Sequence, residues 1–256
     1  MPTGALTGYI DVAQVTLYIF WLFFAGLVFY IRREDRREGY PLETDLTGQV
    51  GKKNKILMAK PKEYKLPEGG SYFAPNDKRD TRNHKIKRVA PWPGSPYEPT
   101  GDPMVDGVGP ASWAERHDEP ELTRDGKPAL MPLRASNEYD VAKQKEDPRG
   151  MEVFAGDKKS VGKIKDIWVD RSENQVRYLE ATLQGGSNVL IPVTMLRIQG
   201  EKKKYVHVQA LMSEHFPKVP RLAKADQVTI LEEEKIQAFF AGGKLYGKAS
   251  RMGPLL

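Results

Sequence analysis

The chain has 256 residues, 29% of them charged, a formal net charge of +6 and no cysteine. The missing cysteines exclude disulfides, thiolate nucleophiles, cysteine-type zinc sites and iron–sulfur clusters. A pI near 9.2 suits an anionic partner such as lipid headgroups or acidic protein.

In chain order, residues 1–11 read as a short external tail, ending in Asp11. Asp11 and Gln14 resemble a capping pair, the carboxylate accepting the free amide hydrogens of a helix start. The stretch 12–31, VAQVTLYIFWLFFAGLVFYI, has no ionisable side chain except the phenols of Tyr18 and Tyr30. Twenty helical residues span about 30 Å, the hydrocarbon thickness of a bilayer, so a transmembrane helix is predicted. The leader carries no base and no small-residue cleavage site follows, unlike a signal peptide. Arg32, Arg33, Arg36 and Arg37 come immediately after it, and no Lys or Arg precedes it. That asymmetry predicts an outside N-terminus and a cytoplasmic remainder, with the four arginines as anchors and lipid-headgroup contacts.

RREDRRE continues as a helix-compatible stretch, and Gly39-Tyr40-Pro41 ends it. Residues 32–110 then read as the helix end and an extended arm, with prolines at 61, 67, 75, 91, 93, 96, 99, 103 and 110. A hairpin is expected over Leu66-Pro67-Glu68-Gly69-Gly70-Ser71-Tyr72. Tyr64, Tyr72, Phe73, Trp92 and Tyr97 favour docking of the arm on another surface over a disordered linker.

Residues 111–256 form the expected globular domain. It begins loop-like through Leu133, and short strands follow with turns between them: Lys163–Val169, Val176–Leu183, Val189–Val193 and Lys204–Val208. This argues for a small antiparallel barrel or sandwich. Ala225–Ile230 reads as one more strand. Leu231–Tyr246 reads as a helix with Ile236, Phe239 and Phe240 on its apolar face, stopped by Gly242-Gly243. Residues 247–256 read as a frayed basic tail.

Several words in fixed order carry a resemblance. They are Arg33–Leu42 (REDRREGYPL), Pro99–Pro103 running on to Asp106–Trp113 (DGVGPASW), Asp166–Asp170 (DIWVD), and Leu231–Lys235 (LEEEK) followed by Ala241-Gly242-Gly243 and Leu245-Tyr246. Together the chain resembles the H subunit of the purple-bacterial photosynthetic reaction centre. The resemblance implies one transmembrane helix with a periplasmic N-terminus, an extended arm and a cytoplasmic β domain of the PRC-barrel type, in the bacterial inner (intracytoplasmic) membrane. It implies no catalytic residues and no principal cofactor on this chain. Bacteriochlorophyll, bacteriopheophytin, quinones and non-haem iron are expected in partner subunits. The implied partners are the L and M subunits and membrane lipids, with light-harvesting antenna and a cytochrome subunit in the same complex.

Such a subunit caps L and M, shields the quinones and helps conduct protons to the secondary quinone. Asp170 and Glu173 lie three residues apart in one polar turn, where two acids are ordinarily just solvated. The resemblance makes them relay carboxylates, because family members place these groups after DIWVD. Arg177 is near enough in sequence to tune them. The resemblance also points to proton uptake around Glu121–Gly126. Some relatives carry surface histidines beside an acid there, whereas this sequence has Lys127, so Asp125 either serves alone or protons enter elsewhere; His117 is an alternative.

The four histidines share no ligand spacing, and no metal motif, Ser/His/Asp or Cys/His set or phosphate-cradling glycine loop is present. Two rival functions remain. One is a single-pass adaptor whose β domain docks an unrelated complex. The other is a membrane-tethered nucleic-acid-binding module, which interleaved acids and the lack of aromatics in any basic stripe speak against.

Overall fold

The computed structural model describes all residues except 1–3, 5, 8, 53–55, 67, 68, 77, 79, 81, 144, 202 and 253–256. The chain divides into two compact units, Met1–Thr81 with Ala90–Pro96, and Arg82–Val89 with Tyr97–Leu256.

The first unit is built on helix α1, Val12–Glu34. Its start is the expected reciprocal cap: Gln14 N donates to Asp11 Oδ1 at 2.7 Å and Asp11 N to Gln14 Oε1 at 3.4 Å. Its 23 residues rise about 34 Å. No residue of α1 is buried, and Leu22 is 75% exposed. So large an uncovered apolar surface is stable only where lipid or a partner replaces water. The helix is long and apolar enough to cross a membrane.

A turn of 3-10 helix, Asp35–Arg37, follows. Strands β1, Lys62–Lys65, and β2, Ser71–Ala74, then form an antiparallel hairpin in the expected place. Leu66 N donates to Gly70 O and Gly69 N to Leu66 O, with Gly69 and Gly70 both at positive φ. Pro67 and Glu68 of the expected turn lie outside the described residues.

The second unit opens with a ribbon of β3, Ile86–Arg88, against β4, Tyr97–Pro99. Its main sheet contains β5 (Leu130–Pro132), β6 (Glu152–Ala155), β7 (Ser160–Asp170), β8 (Gln175–Leu183), β9 (Asn188–Pro192), β10 (Arg197–Gln199) and β11 (Tyr205–Val208). The order is β10-β11-β6-β7-β8-β9, and β5 pairs with the second half of β7. Two expectations change here. The region before Leu133 is not wholly loop, since it supplies β5. The sheet is not wholly antiparallel, because the β10–β11 hairpin lays β11 parallel on the free edge of β6. No pairing between β9 and β10 closes the sheet into a full barrel among the described residues.

β7 alternates inside and outside only at its start. Lys163 and Lys165 are exposed and Ile164 is buried, but every residue from Asp166 to Asp170 is buried. A register shift between Ile164 and Asp166 marks the change. Beyond it the strand lies between β5 and β8 and is covered on both faces, so two carboxylates enter the interior.

Helix α2, Ile230–Tyr246, packs Ile236, Phe239 and Phe240 into the core. The strand expected at Ala225–Ile230 is instead a turn and a helix cap. Glu232 N donates to Thr229 Oγ1 at 3.1 Å, and Thr229 N to Glu232 Oε2 at 2.9 Å. Thr-x-x-Glu is a capping-box spacing, and β-branched Val228 and Thr229 masked it. Gly242-Gly243 does not stop the helix either. Both are buried, and a Cβ on Gly242 would lie 2.5 Å from the Ala111 Cβ. The glycines permit close packing where a stop was expected. The tail beyond α2 is tied down through Met252, chiefly by Arg251, whose guanidinium donates to Gln209, Ala210 and Gly243 carbonyls.

Candidate functional site

The turn between β7 and β8 carries Asp170 and Glu173. Asp170 is 4% exposed and closes the turn by accepting from Ser172 N at 2.8 Å and Glu173 N at 3.2 Å. Asp and Asn favour such turns because the side chain replaces a backbone acceptor. Its other oxygen accepts from Arg177 Nη1 at 2.9 Å. Glu173 faces out and accepts from Gln175 Nε2. The two acids thus share a turn while one points in and one points out.

Alternation on β8 brings Arg177 beside Asp170 and, on the other side, to within 3.6 Å of Glu233 on α2. Burial pushes the Glu233 carboxyl above its ordinary value of 4.5, Arg177 opposes that shift, and the negative charges of Glu121 and Asp170 add to it. Burial and then the Glu233 charge also raise the neighbouring Tyr178 phenol, whose oxygen accepts from Gln237 Nε2 at 2.6 Å. Asp170, Arg177, Glu233 and Tyr178 therefore form one connected, largely buried titratable group with Glu173 at its rim.

A raised carboxyl pKa favours the folded state at low pH. That contribution is complete below the unfolded value near 4.5 and is lost as pH rises through the raised folded value. Glu233→Gln, which cannot ionise, is expected to gain on the wild type as pH climbs from about 4.5, the gain levelling off above the raised pKa. Urea midpoints of both proteins across that range check this; a pH-independent difference would refute it.

Asp125 is exposed in a tight turn, with Thr123 N donating to Lys127 O at 2.7 Å and Gly126 N to Thr123 O at 2.9 Å. It lines an open groove of about 410 Å³ with Lys127, Glu138, Arg171 and Ser172. The groove thus runs from Asp125 to the Asp170 turn. His117 is exposed and lies outside that lining.

In the first unit the four arginines part company. Arg32 lies 3.6 Å from Asp35, both exposed, and the Arg36 guanidinium stands 5.2 Å from the Tyr40 ring centre. The Arg33 Nε is buried without a hydrogen-bond partner. Arg37 is consumed internally: Nε and Nη2 grip Glu34 at 2.8 Å each, while Nη1 donates to Lys60 O and Ala74 O at 2.8 Å. It staples the helix end to the hairpin, a role its place in a basic run did not signal.

Sequence reasoning also missed a second buried group. Asp166 and Glu180 stand opposite each other across β7 and β8, each 3% exposed. Like charges in facing positions repel and need a cation between them. Arg134 Nη1 supplies it, donating to Asp166 Oδ2 at 3.0 Å and to Glu180 Oε2. Trp168 Nε1 and Lys165 Nζ also donate to Glu180, at 3.0 and 3.1 Å. Only the strand register could have revealed this pair. Among the described residues, no three His, Asp or Glu side chains converge as a metal site would require.

A membrane-spanning apolar helix joined to a mainly-β unit defines a membrane-anchored β-domain protein, and residues 142–211 match the PRC-barrel domain family. Residues 4–135, just over half of the chain, match the photosynthetic reaction centre H-chain N-terminal region. The chain belongs to that family and is an H subunit of a photosynthetic reaction centre.

Proposed function

We propose that this subunit caps the pigment-binding L and M subunits on the cytoplasmic side, stabilises the complex, shields the quinone sites and assists proton transfer to the secondary quinone. In this reading the pigments, quinones and non-haem iron sit in the partner subunits, and α1 crosses the inner membrane with its N-terminus periplasmic. The basic residues clustered after the helix, with none before it, support that orientation. The observation that carries the proton role is the group Asp170–Arg177–Glu233 with Glu173 at its rim. A buried acid whose pKa is raised above its ordinary value holds its proton to higher pH than a solvated one, which suits a relay group. The Asp125 groove reaches the same turn and offers a route from solvent.

The assignment of partners is tested by purifying gently solubilised complex through a tag on this chain. Bacteriochlorophyll and bacteriopheophytin absorption bands should co-elute in fixed ratio, and a colourless preparation from pigmented membranes would overturn the assignment. For the proton role, Asp170→Asn with Glu173→Gln should slow the second, proton-coupled quinone reduction about tenfold and leave the first charge separation unchanged. Unaltered proton-coupled kinetics would remove both residues from the path.

A further inference from the structure

At the other end of α2, a cavity of about 340 Å³ opens between the last helical turn and strands β10 and β11. Its ionisable lining is Arg197, His207, Lys244 and Arg251, joined by the neutral polar Thr194 and Gln209; among the described residues no carboxylate lines it. Four separate elements deliver these basic side chains: β10, β11, α2 and the 3-10 turn Ala249–Arg251. Arg197 and His207 face each other in register.

Elsewhere in this unit, several cations are matched to acids. Arg134, Arg149, Arg177 and Lys218 each pair with a carboxylate. Among the described residues none of the four basic side chains of the cavity does. Lys244 alone could be explained by the negative end of α2. Arg251 is held by three carbonyls, Ala210 at 3.1 Å, Gly243 at 2.9 Å and Gln209 at 3.0 Å. Those bonds fix the guanidinium and leave two of its five N–H donors over. Arg197 and His207 have no such explanation, and a pair of basic groups facing across two strands gains from an anion between them.

We propose that this cavity binds a phosphate group. Three permanent cations exceed what a single carboxylate can balance, whereas a phosphomonoester carries about −1.5 to −2 charge and three acceptor oxygens. The guanidinium forks of Arg197 and Arg251 suit those oxygens, with Lys244 as a point charge and the Thr194 hydroxyl as a further donor. The phosphate belongs either to a soluble ion or ester or to the headgroup of a phosphomonoester lipid.

The test titrates the full chain, in non-ionic detergent, with inorganic phosphate and pyrophosphate by calorimetry, and follows ³¹P line width in parallel. Saturable binding is expected, weakened at least about tenfold by Arg197→Ala with Lys244→Ala and unaffected by Lys163→Ala, at an exposed strand position outside the cavity. Neither substituted cavity side chain holds another described polar group, and circular dichroism verifies the fold. If the double variant does not fold, Arg197→Glu at its exposed strand position is titrated in its place, with the same loss of binding expected. Absence of saturable binding, or equal affinity in wild type and variant, overturns the site. Release of bound phosphate when the chain is transferred into vesicles containing phosphatidic acid, but not into phosphatidylcholine alone, assigns the site to a lipid headgroup. Retention in both assigns it to a soluble phosphate.

Discussion

Arg134→Ala is expected to destabilise the β-sheet unit by about 3 kcal/mol, the low end of what breaking a buried ion pair costs. The loss falls mostly on Asp166. Glu180 would keep Lys165 and Trp168 as donors, but Asp166 would keep only the amides of residues 134 and 167. Arg134 also donates to Asp226 at 2.8 Å and Ala225 O at 2.6 Å, so the turn leading into α2 would loosen with it. Chemical denaturation of the two proteins at neutral pH measures the difference. Arg134→Met with Asp166→Asn and Glu180→Gln should recover most of the loss, because no ionised group is then stranded in the interior. A triple variant as unstable as the single one would show that the stranded carboxylates are not the source of the loss.

Gly242→Val should cost about 2–3 kcal/mol through overpacking. A Cβ there would stand 2.5 Å from Ala111 Cβ, 3.1 Å from its Cα and 3.3 Å from its N, all part of a rigid turn, Gly109–Ala111. Replacing a helical glycine normally gains about 1 kcal/mol for an alanine and somewhat less for a β-branched residue, which is too little to offset the clash. Ala111→Gly should restore part of the lost stability when combined with Gly242→Val. Thermal unfolding of the four proteins in this cycle gives the coupling; additive effects would mean the two positions do not meet.

Much of this architecture was legible because its signals are local. An uninterrupted apolar run sets α1, Asp11 and Gln14 cap it, and glycine and proline punctuate the arm; β8 was found between its turns, although its burial does not alternate as expected. What was hidden depends on contacts remote in sequence. Strands β5 and β10 have three residues each, too few to display a period of two. Gly242 and Gly243 read as a helix stop until Ala111 and Leu211 are seen against them. Within the site, Asp170, Glu173 and Arg177 lie in one stretch and could be grouped from the sequence and its resemblance. Glu233 joins them only because α2 packs on that face, and the Asp166–Glu180 pair exists only once β7 and β8 are in register.

The pairing of β5 with β7 gives the two matched families a shared fate. One match ends at residue 135 and the other begins at residue 142, which invites a cut between them. Such a cut would remove β5 from Trp168, Val169 and Asp170, baring a sheet edge, and would take Arg134 from two buried acids. Bare edges recruit other strands, so the shorter fragment would aggregate where the intact chain does not. The boundary visible in sequence families is therefore not a boundary of folding: the N-terminal family region contributes a strand and a charge that the barrel sequence cannot provide for itself.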